Sequence, residues 1–288
     1  MRFELTADQR DLATALDGLL STSDTVAAAR AWAEGDHGPG LKLWARLSEL
    51  GVTMLATEAS PVEVCIAFEA LGRYAVPGPW VESAAYLPVA LGRELEVMAT
   101  VAAPPHVPLA LDADVAEEVY VGTALSTDLG GLRTSVDRTR RLFEVGSADV
   151  AWDEAFDAAV LAVSAQLLGA GERVLADSVA YVQQRKQFGR EIGSYQAIKH
   201  ALADVRIALD FARPLVYGAA LGEISPSAAK VATSDAAYLA SRTGLQVHGA
   251  VGYTAELDLS LWITKIRALV SAWGTPAVHR ERLLEGLL

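Results

Sequence analysis

Apolar positions recur at helical spacing over most of the chain. Leu12, Leu16, Leu19 and Leu20 follow Thr6 and Gln9, which stand three apart as in a capping box, so a helix is predicted there. The run GPGLKLWARLSELG opens after a Gly-Pro-Gly break and stops at Gly51. Ser60, Pro61 and Glu63 supply an N-cap, a first-turn proline and an early acid for a helix through Arg73. VPGPW then turns the chain into a short helix around 81–91. From about Glu94 the texture changes to short β-branched runs broken by Pro, Gly and Asp, which predicts a small β segment. After Asp149 the helical pattern returns. Val160, Val163, Leu167, Leu168, Leu175, Val179 and Val182 form one stripe, and Ile198, Leu202, Val205 and Leu209 a second. Ser225 and Pro226 start a third helix, and a fourth is predicted from about Asp258 toward Leu288. Four long helices with short loops imply an antiparallel bundle. The expected fold is therefore mainly α with a small β segment. It divides into an N-terminal helical domain (1–92), a reduced β domain (93–148) and a C-terminal four-helix bundle (149–288).

Composition narrows the function. Of 288 residues, 52% are hydrophobic, enough that apolar helix faces should remain for association with other subunits. A net charge of −12 argues against a nucleic-acid partner, which rewards clustered positive charge. Cys65 is the single cysteine, so no intrachain disulfide forms, and a buried structural thiol in a reducing cytoplasm is the natural reading. The opening MRFELTADQRDL lacks a stretch of signal-peptide character, and no uninterrupted apolar run has membrane-spanning length. The expectation is a cytoplasmic protein with no membrane partner. No His, Cys or acidic residues show the spacing of a metal site. No nucleophile elbow, P-loop or Rossmann pattern appears.

Two segments carry chemistry. QQRKQFGREIGSYQ (183–196) groups Arg185, Lys186, Phe188 and Gly189 at the end of a long apolar helix. By itself this reads as helix-end chemistry, with positive charge facing the dipole and Gly189 as a stop. LQVHGAVGYTAELDLSLW (245–262) places Gln246, Gly249 and Gly252 between two bundle helices, where glycines let a backbone approach a ligand and N–H groups can meet phosphate oxygens. Each alone is weak. Together and in this order, within a helical bundle that follows a β segment, RKQFG…SYQ and QVHGAVGYT resemble the acyl-CoA dehydrogenase family.

That resemblance implies a flavoenzyme that oxidises acyl-CoA thioesters to enoyl-CoA, with FAD lying between subunits and electron-transfer flavoprotein as the usual acceptor. By position, Arg185 resembles the family's pyrophosphate arginine. Gln187 and Phe188 resemble the polar and packing contacts beside it, and Gln196 the adenine-side glutamine. Gln246, Val247 and Gly249 resemble the second dinucleotide loop. A guanidinium fork suits two phosphates and an aromatic face suits a planar cofactor.

The departures are concentrated. The family's catalytic carboxylate precedes a Gly-Thr pair in the last helical region, but Gly274 and Thr275 here follow Trp273, and an indole accepts no proton. The alternative position falls at Ala159, beside Val160. Asp157 is two residues away, turned by roughly 200° on the helix. Glu256 matches a position read as structural, and Ala250 replaces a usual glycine. The flavin-facing motif of the β domain has no counterpart between Glu94 and Asp149. Tyr253 and His248 read as packing or hydrogen-bonding residues, and Trp273 as either a core residue or the plug of this chain's own acyl pocket. The chain thus keeps what would hold the ADP half of FAD and lacks the base. The expected role is the base-less subunit of an α2β2 acyl-CoA dehydrogenase. Its companion would supply the carboxylate and most of the acyl pocket, in the manner of actinobacterial two-gene enzymes acting on bulky or steroid-derived CoA esters. A self-sufficient homotetramer with an unrecognised base, and a cofactor-free structural partner protein, are the alternatives.

Overall fold

A computed structural model describes residues 4–146, 150–151 and 153–286. The expected junction at 148–149 lies outside them. Helix α1 (Ala7–Ser21) starts on the predicted capping box: Gln9 N–H donates to Thr6 Oγ1 at 3.2 Å, and Thr6 N–H to Gln9 Oε1 at 3.0 Å. Helix α2 (Thr25–Ala33) was not foreseen in the pattern; Asp24 caps it by accepting from Ala27 N–H at 2.9 Å. Helices α3 (Gly38–Glu49), α4 (Leu55–Glu58) and α5 (Pro61–Arg73) follow. The helix expected over 81–91 is wound two ways, as a π-helical segment Glu82–Tyr86 and then α6 (Leu87–Leu91).

The β segment is small, as its broken pattern required. β1 (Ala99–Ala102) pairs in parallel with β3 (Glu118–Val121), which pairs antiparallel with β4 (Ala124–Leu125). β2 (Ala110–Leu111) and β5 (Leu132–Arg133) flank β6 (Leu142–Phe143), both antiparallel to it.

Helix α7 (Glu154–Gln184) forms the axis of the remainder. It is long and apolar enough to cross a membrane, yet most of that stretch is buried inside the fold, as suits a core helix. A hairpin of β7 (Lys186–Gln187) and β8 (Arg190–Glu191) leads to α8 (Gln196–Ala220), then α9 (Pro226–His248). The expected single last helix is two, α10 (Leu259–Ser271) and α11 (Pro276–Glu285). Trp273 (φ 55°) and Gly274 (φ 92°) take left-handed backbone conformations, and Thr275 then caps α11 with Pro276 in its first turn. Helix α7 packs on α5, α8, α9 and α10.

Two glycines set the closest of these crossings. A Cβ on Gly72 would stand 2.1 Å from the Gln166 carbonyl oxygen, and one on Gly169 only 1.9 Å from that of Glu69, so α5 and α7 meet backbone to backbone. Trp262 of α10 closes the crossing, its indole N–H reaching the Arg73 carbonyl at 3.0 Å. Arg213 of α8 forks onto Glu69 of α5, both contacts 2.9 Å, and also reaches Glu172 of α7 at 3.0 Å. Arg206 forks onto the same Glu172 at 2.7 Å. Cys65 is buried, and burial pushes its thiol far above the ordinary range, so it is an inert core group.

Candidate functional site

The order of the bundle helices puts Arg185 and Gln246 at one end and Trp273 at the other. Helix α7 runs from the β segment toward Arg185, α8 returns, α9 runs out again to His248, and α10 returns to Trp273.

At the first end, Arg185 and Lys186 do not lie in the last helical turn, as the sequence suggested. Helix α7 stops at Gln184 and Arg185 is extended (φ −74°, ψ 123°). Phe188 (φ 53°) and Gly189 (φ 81°) form the two-residue tip of the hairpin, both with positive φ as a type I′ turn demands. Gly189 is therefore a turn residue and not a helix stop. Phe188 is 93% exposed. The other cations of this hairpin are engaged: Lys186 pairs with Glu191 at 3.3 Å, and Arg190 stacks over the Tyr195 ring at 3.9 Å. Arg185 uses its backbone, its N–H reaching Tyr181 O at 2.9 Å and its carbonyl accepting from Ile192 N–H at 2.8 Å. Its guanidinium is exposed and makes no hydrogen bond or ion pair among the described residues. Gln187 and Gln196 are exposed as well, Gln196 as the first residue of α8.

Gln246 is exposed in the last turn of α9, Val247 is buried beneath it, and Gly249 (φ 64°) turns the chain into a 3₁₀ segment, Gly249–Tyr253. The two segments are tied together. The Tyr181 ring stacks on His248, centroids 4.2 Å apart, and His248 Nδ1–H donates to the Gly244 carbonyl at 2.7 Å. His248 thus packs and hydrogen-bonds as the sequence suggested. Tyr253 does not pack within the chain; it is 77% exposed. Ile207 and Phe211, one turn apart on α8, and Tyr238 and Leu239 on α9 are also exposed. This bundle carries apolar surface of the kind that marks association.

These residues fit the ADP half of a dinucleotide. One unengaged guanidinium, exposed amides and a projecting aromatic ring stand at one end of the bundle, with a glycine turn whose backbone is open to approach. None of them can do acid–base work.

At the other end Trp273 is sealed, 1% exposed. Its ring lies between Tyr86 (centroids 4.8 Å) and Phe156 (5.1 Å), and its indole N–H points at Glu82 Oε1, 3.4 Å away. His279 holds the turn. A carbonyl only accepts, so His279 donates from Nε2 to Trp273 O at 2.9 Å, and Nδ1 accepts from the Ser227 hydroxyl at 3.0 Å. Burial, aided by the charges of Lys230 and Arg282, lowers the His279 pKa to about 4 despite the Trp273 carbonyl, so the ring is neutral. A Cβ on Gly274 would stand 2.8 Å from His279 Nε2, so this close approach and its positive φ both require glycine. Arg282 donates to Ser227 Oγ at 3.2 Å and forks onto Asp157. Asp157, the acid nearest the Ala159 position, is therefore held by Arg282. Ala159 and Val160 are fully buried.

Sequence reasoning missed Glu82. It is 1% exposed, its Oε2 has no hydrogen-bond partner, and burial raises its pKa against the opposing charge of Arg140. Nothing in VESAAY distinguishes it from a surface glutamate. It lies on the π-helical segment Glu82–Tyr86, and its Oε1 faces the indole N–H of Trp273. Among the described residues no group of three or more His, Cys, Asp or Glu is placed to hold a metal.

Residues 150–288 match the family model described as "Acyl-CoA dehydrogenase, C-terminal domain". The chain is similar to acyl-CoA dehydrogenase IpdE2 of Mycolicibacterium smegmatis, 29% identical over 285 residues, covering 89% of this chain and 91% of that one. Among solved structures, butyryl-CoA dehydrogenase from Megasphaera elsdenii superposes with a TM-score of 0.83 at 20% identity over 100% of both chains. The ChsE4–ChsE5 complex from Mycobacterium tuberculosis does so with 0.79 at 19% identity, over 100% of this chain and 99% of that one. The fold is that of the acyl-CoA dehydrogenases. Residues 150–288 carry the C-terminal domain of the acyl-CoA dehydrogenase family, whose cofactor is FAD.

Proposed function

We propose that this chain is the base-less subunit of a cytoplasmic hetero-oligomeric acyl-CoA dehydrogenase, with α2β2 stoichiometry and divided into the three domains 1–92, 93–148 and 149–288. The observation that carries this reading is the contrast between its two ends. Trp273, at one of the two positions where the resemblance implies a carboxylate, is held by Glu82, Tyr86, Phe156 and His279, whereas Arg185, Gln187, Phe188, Gln196 and Gln246 are exposed. Loss of function by drift would erode both ends alike.

In this reading Arg185 forks onto the pyrophosphate of an FAD shared with the companion chain, and Gln187 and Gln246 hydrogen-bond its polar edge. Phe188 covers it from water, Gln196 meets the adenine side, and Val247 and Gly249 shape the second loop. When bound, FAD supplies the acceptor for the hydride from the acyl β-carbon. The companion's carboxylate removes the α-proton. The substrate is a bulky acyl-CoA thioester, steroid-derived ones included, seated mainly on the companion, and electron-transfer flavoprotein takes the electrons. The ChsE4–ChsE5 complex, one chain of which shares this fold, supports an unlike-subunit assembly.

The test is an absorbance spectrum of this chain purified alone and after co-expression with a neighbouring-gene acyl-CoA dehydrogenase homologue. A flavin spectrum only in the complex, near one flavin per two chains, is the expected result. A yellow chain that alone dehydrogenates acyl-CoA overturns the proposal.

A further inference from the structure

An open cavity of about 640 Å³ lies between the α4–α5 turn, α6, the start of α7 and the α8–α9 turn. Its floor is apolar and buried, made by Val64, Ala85, Leu161, Ala219 and Ala220. At its mouth Glu154 and Glu223 are exposed to solvent. The lining holds three acids and, among the described residues, no lysine, arginine or histidine. Asp157, the third acid, is forked by Arg282. The side chains of Glu154 and Glu223 make no hydrogen bond or ion pair among the described residues. Nor are they needed at the helix starts of this rim, since α5, α7 and α9 are capped by Ser60, Asp153 and Ser225. An apolar floor under two unpaired carboxylates complements a ligand with a hydrocarbon body and a positive head.

We propose that this cavity binds an amphiphilic amine, a single ammonium on an aliphatic tail. The tail lies on the floor, and the ammonium stays at the mouth in the field of Glu154 and Glu223. Because the mouth is open, the head keeps its water and no charge has to be buried. Charge decides its sign: two unpaired carboxylates on a chain of net charge −12 attract a cation and repel a fatty acid or a CoA ester. An uncharged alcohol gains the floor alone. Size sets the tail, since 640 Å³ at about 30 Å³ per water-sized group is space for about twenty groups, and an eight-carbon chain enters with room left at the mouth. The site uses neither Trp273 nor the residues at the Arg185 end, so it stands or falls independently of the dinucleotide reading.

The test titrates the full chain with n-octylamine, followed by calorimetry, with hexylamine, 1-octanol and octanoate as comparison ligands. Saturable binding of one octylamine per chain is expected by about 10 mM. Hexylamine, two methylenes shorter, should bind about tenfold more weakly, and octanoate should not bind. The double variant Glu154→Gln, Glu223→Gln changes two exposed side chains and should keep its melting curve. It should weaken octylamine about three- to tenfold and leave 1-octanol unaltered. Ala158→Phe, at a half-buried lining position, fills the cavity and should weaken octylamine and 1-octanol alike by about tenfold or more. Octanoate binding as well as octylamine, or wild-type affinity in both variants, overturns the site. Binding that fails to saturate at one amine per chain marks general attraction to an acidic surface and also overturns it. Release of bound octylamine as the chain self-associates would give the cavity to a second copy, against the proposal.

Discussion

The ring of Tyr181, one turn before the end of α7, lies flat on the imidazole of His248, the last residue of α9, with centroids 4.2 Å apart and planes 26° from parallel. Tyr181 also receives the backbone N–H of Arg185, and His248 is anchored by its bond to Gly244. One stacked pair therefore links the hairpin that carries Arg185, Gln187 and Phe188 to the turn that carries Gln246 and Gly249. The cofactor-binding proposal has both segments act on one ligand.

Tyr181→Ala should uncouple them. A stacked aromatic pair contributes about 0.5–1.5 kcal/mol beyond its buried area. FAD affinity of the co-purified complex should therefore fall about three- to tenfold, while the subunits still assemble. Flavin retention across a gel-filtration column, with the subunit ratio read from the same peak, checks this. Full retention would show that the two segments do not serve a common ligand.

Arg185 gives a sharper test because its side chain makes no hydrogen bond or ion pair among the described residues. Arg185→Ala should leave the melting temperature of the isolated chain unchanged, since exposed substitutions of this kind stay within about 0.5 kcal/mol. Losing charge-assisted bonds worth about 1.5–3 kcal/mol should weaken FAD binding in the complex by roughly ten- to a hundredfold. Arg185→Lys should recover only part of this, because an ammonium cannot fork across two phosphate oxygens. Arg190→Ala is the matching control: that guanidinium is already stacked on Tyr195. Equal losses from the two variants would point to general surface charge.

What the sequence disclosed depended on how local each signal was. Thr6 with Gln9, and Ser60 with Pro61, act within one turn, and both helix starts stand where the residues put them. The family signature was legible because RKQFG and QVHGAVG are contiguous. The hairpin was read as a helix end because Phe188 at positive φ is a conformation its residue type does not advertise. The break at Trp273 was passed over although Gly274, Thr275 and Pro276 carry a stop, a cap and a first-turn proline, since apolar spacing continues across it. Helix α2 depends on Asp24 and a run of alanines with no distinct stripe. Glu82 was invisible, because the burial of its carboxyl is decided by Trp273, a residue remote in sequence.

His279 predicts an acid-sensitive fold. In the native chain its pKa is lowered to about 4, chiefly by burial, whereas in the unfolded chain it titrates near its ordinary value of about 6.5. Between these values the unfolded state binds the extra proton, so the contribution to stability is complete above about 6.5 and is lost as pH falls toward 4. The slope from this one group is at most about 1.4 kcal/mol per pH unit. Urea denaturation at pH 7 and pH 5, for the wild type and for His279→Asn, checks this. The variant should be less stable at pH 7 but show a flatter pH dependence. Parallel slopes would assign the acid sensitivity to other groups.

Trp273 separates a plugged site from a merely inactive one. If only the base were missing, Trp273→Glu would supply it at the family's position. The packing argues otherwise: removing the indole empties the space between Tyr86 and Phe156, and the new carboxyl would share a buried pocket with Glu82. Like charges at that distance resist joint ionisation, and loss of a buried tryptophan costs about 3–5 kcal/mol. Trp273→Glu should therefore be strongly destabilised, bind no flavin and turn over no acyl-CoA when purified alone. Trp273→Phe keeps most of the volume and loses the N–H to Glu82, at a cost of about 1–3 kcal/mol for the carboxyl left unpartnered. Chemical denaturation of both variants, with a dehydrogenation assay on the isolated chain, reads the outcome. A stable, flavin-loaded and active Trp273→Glu chain would mean that the tryptophan replaced a base without closing the pocket, and that the division of labour between unlike subunits is a single substitution deep.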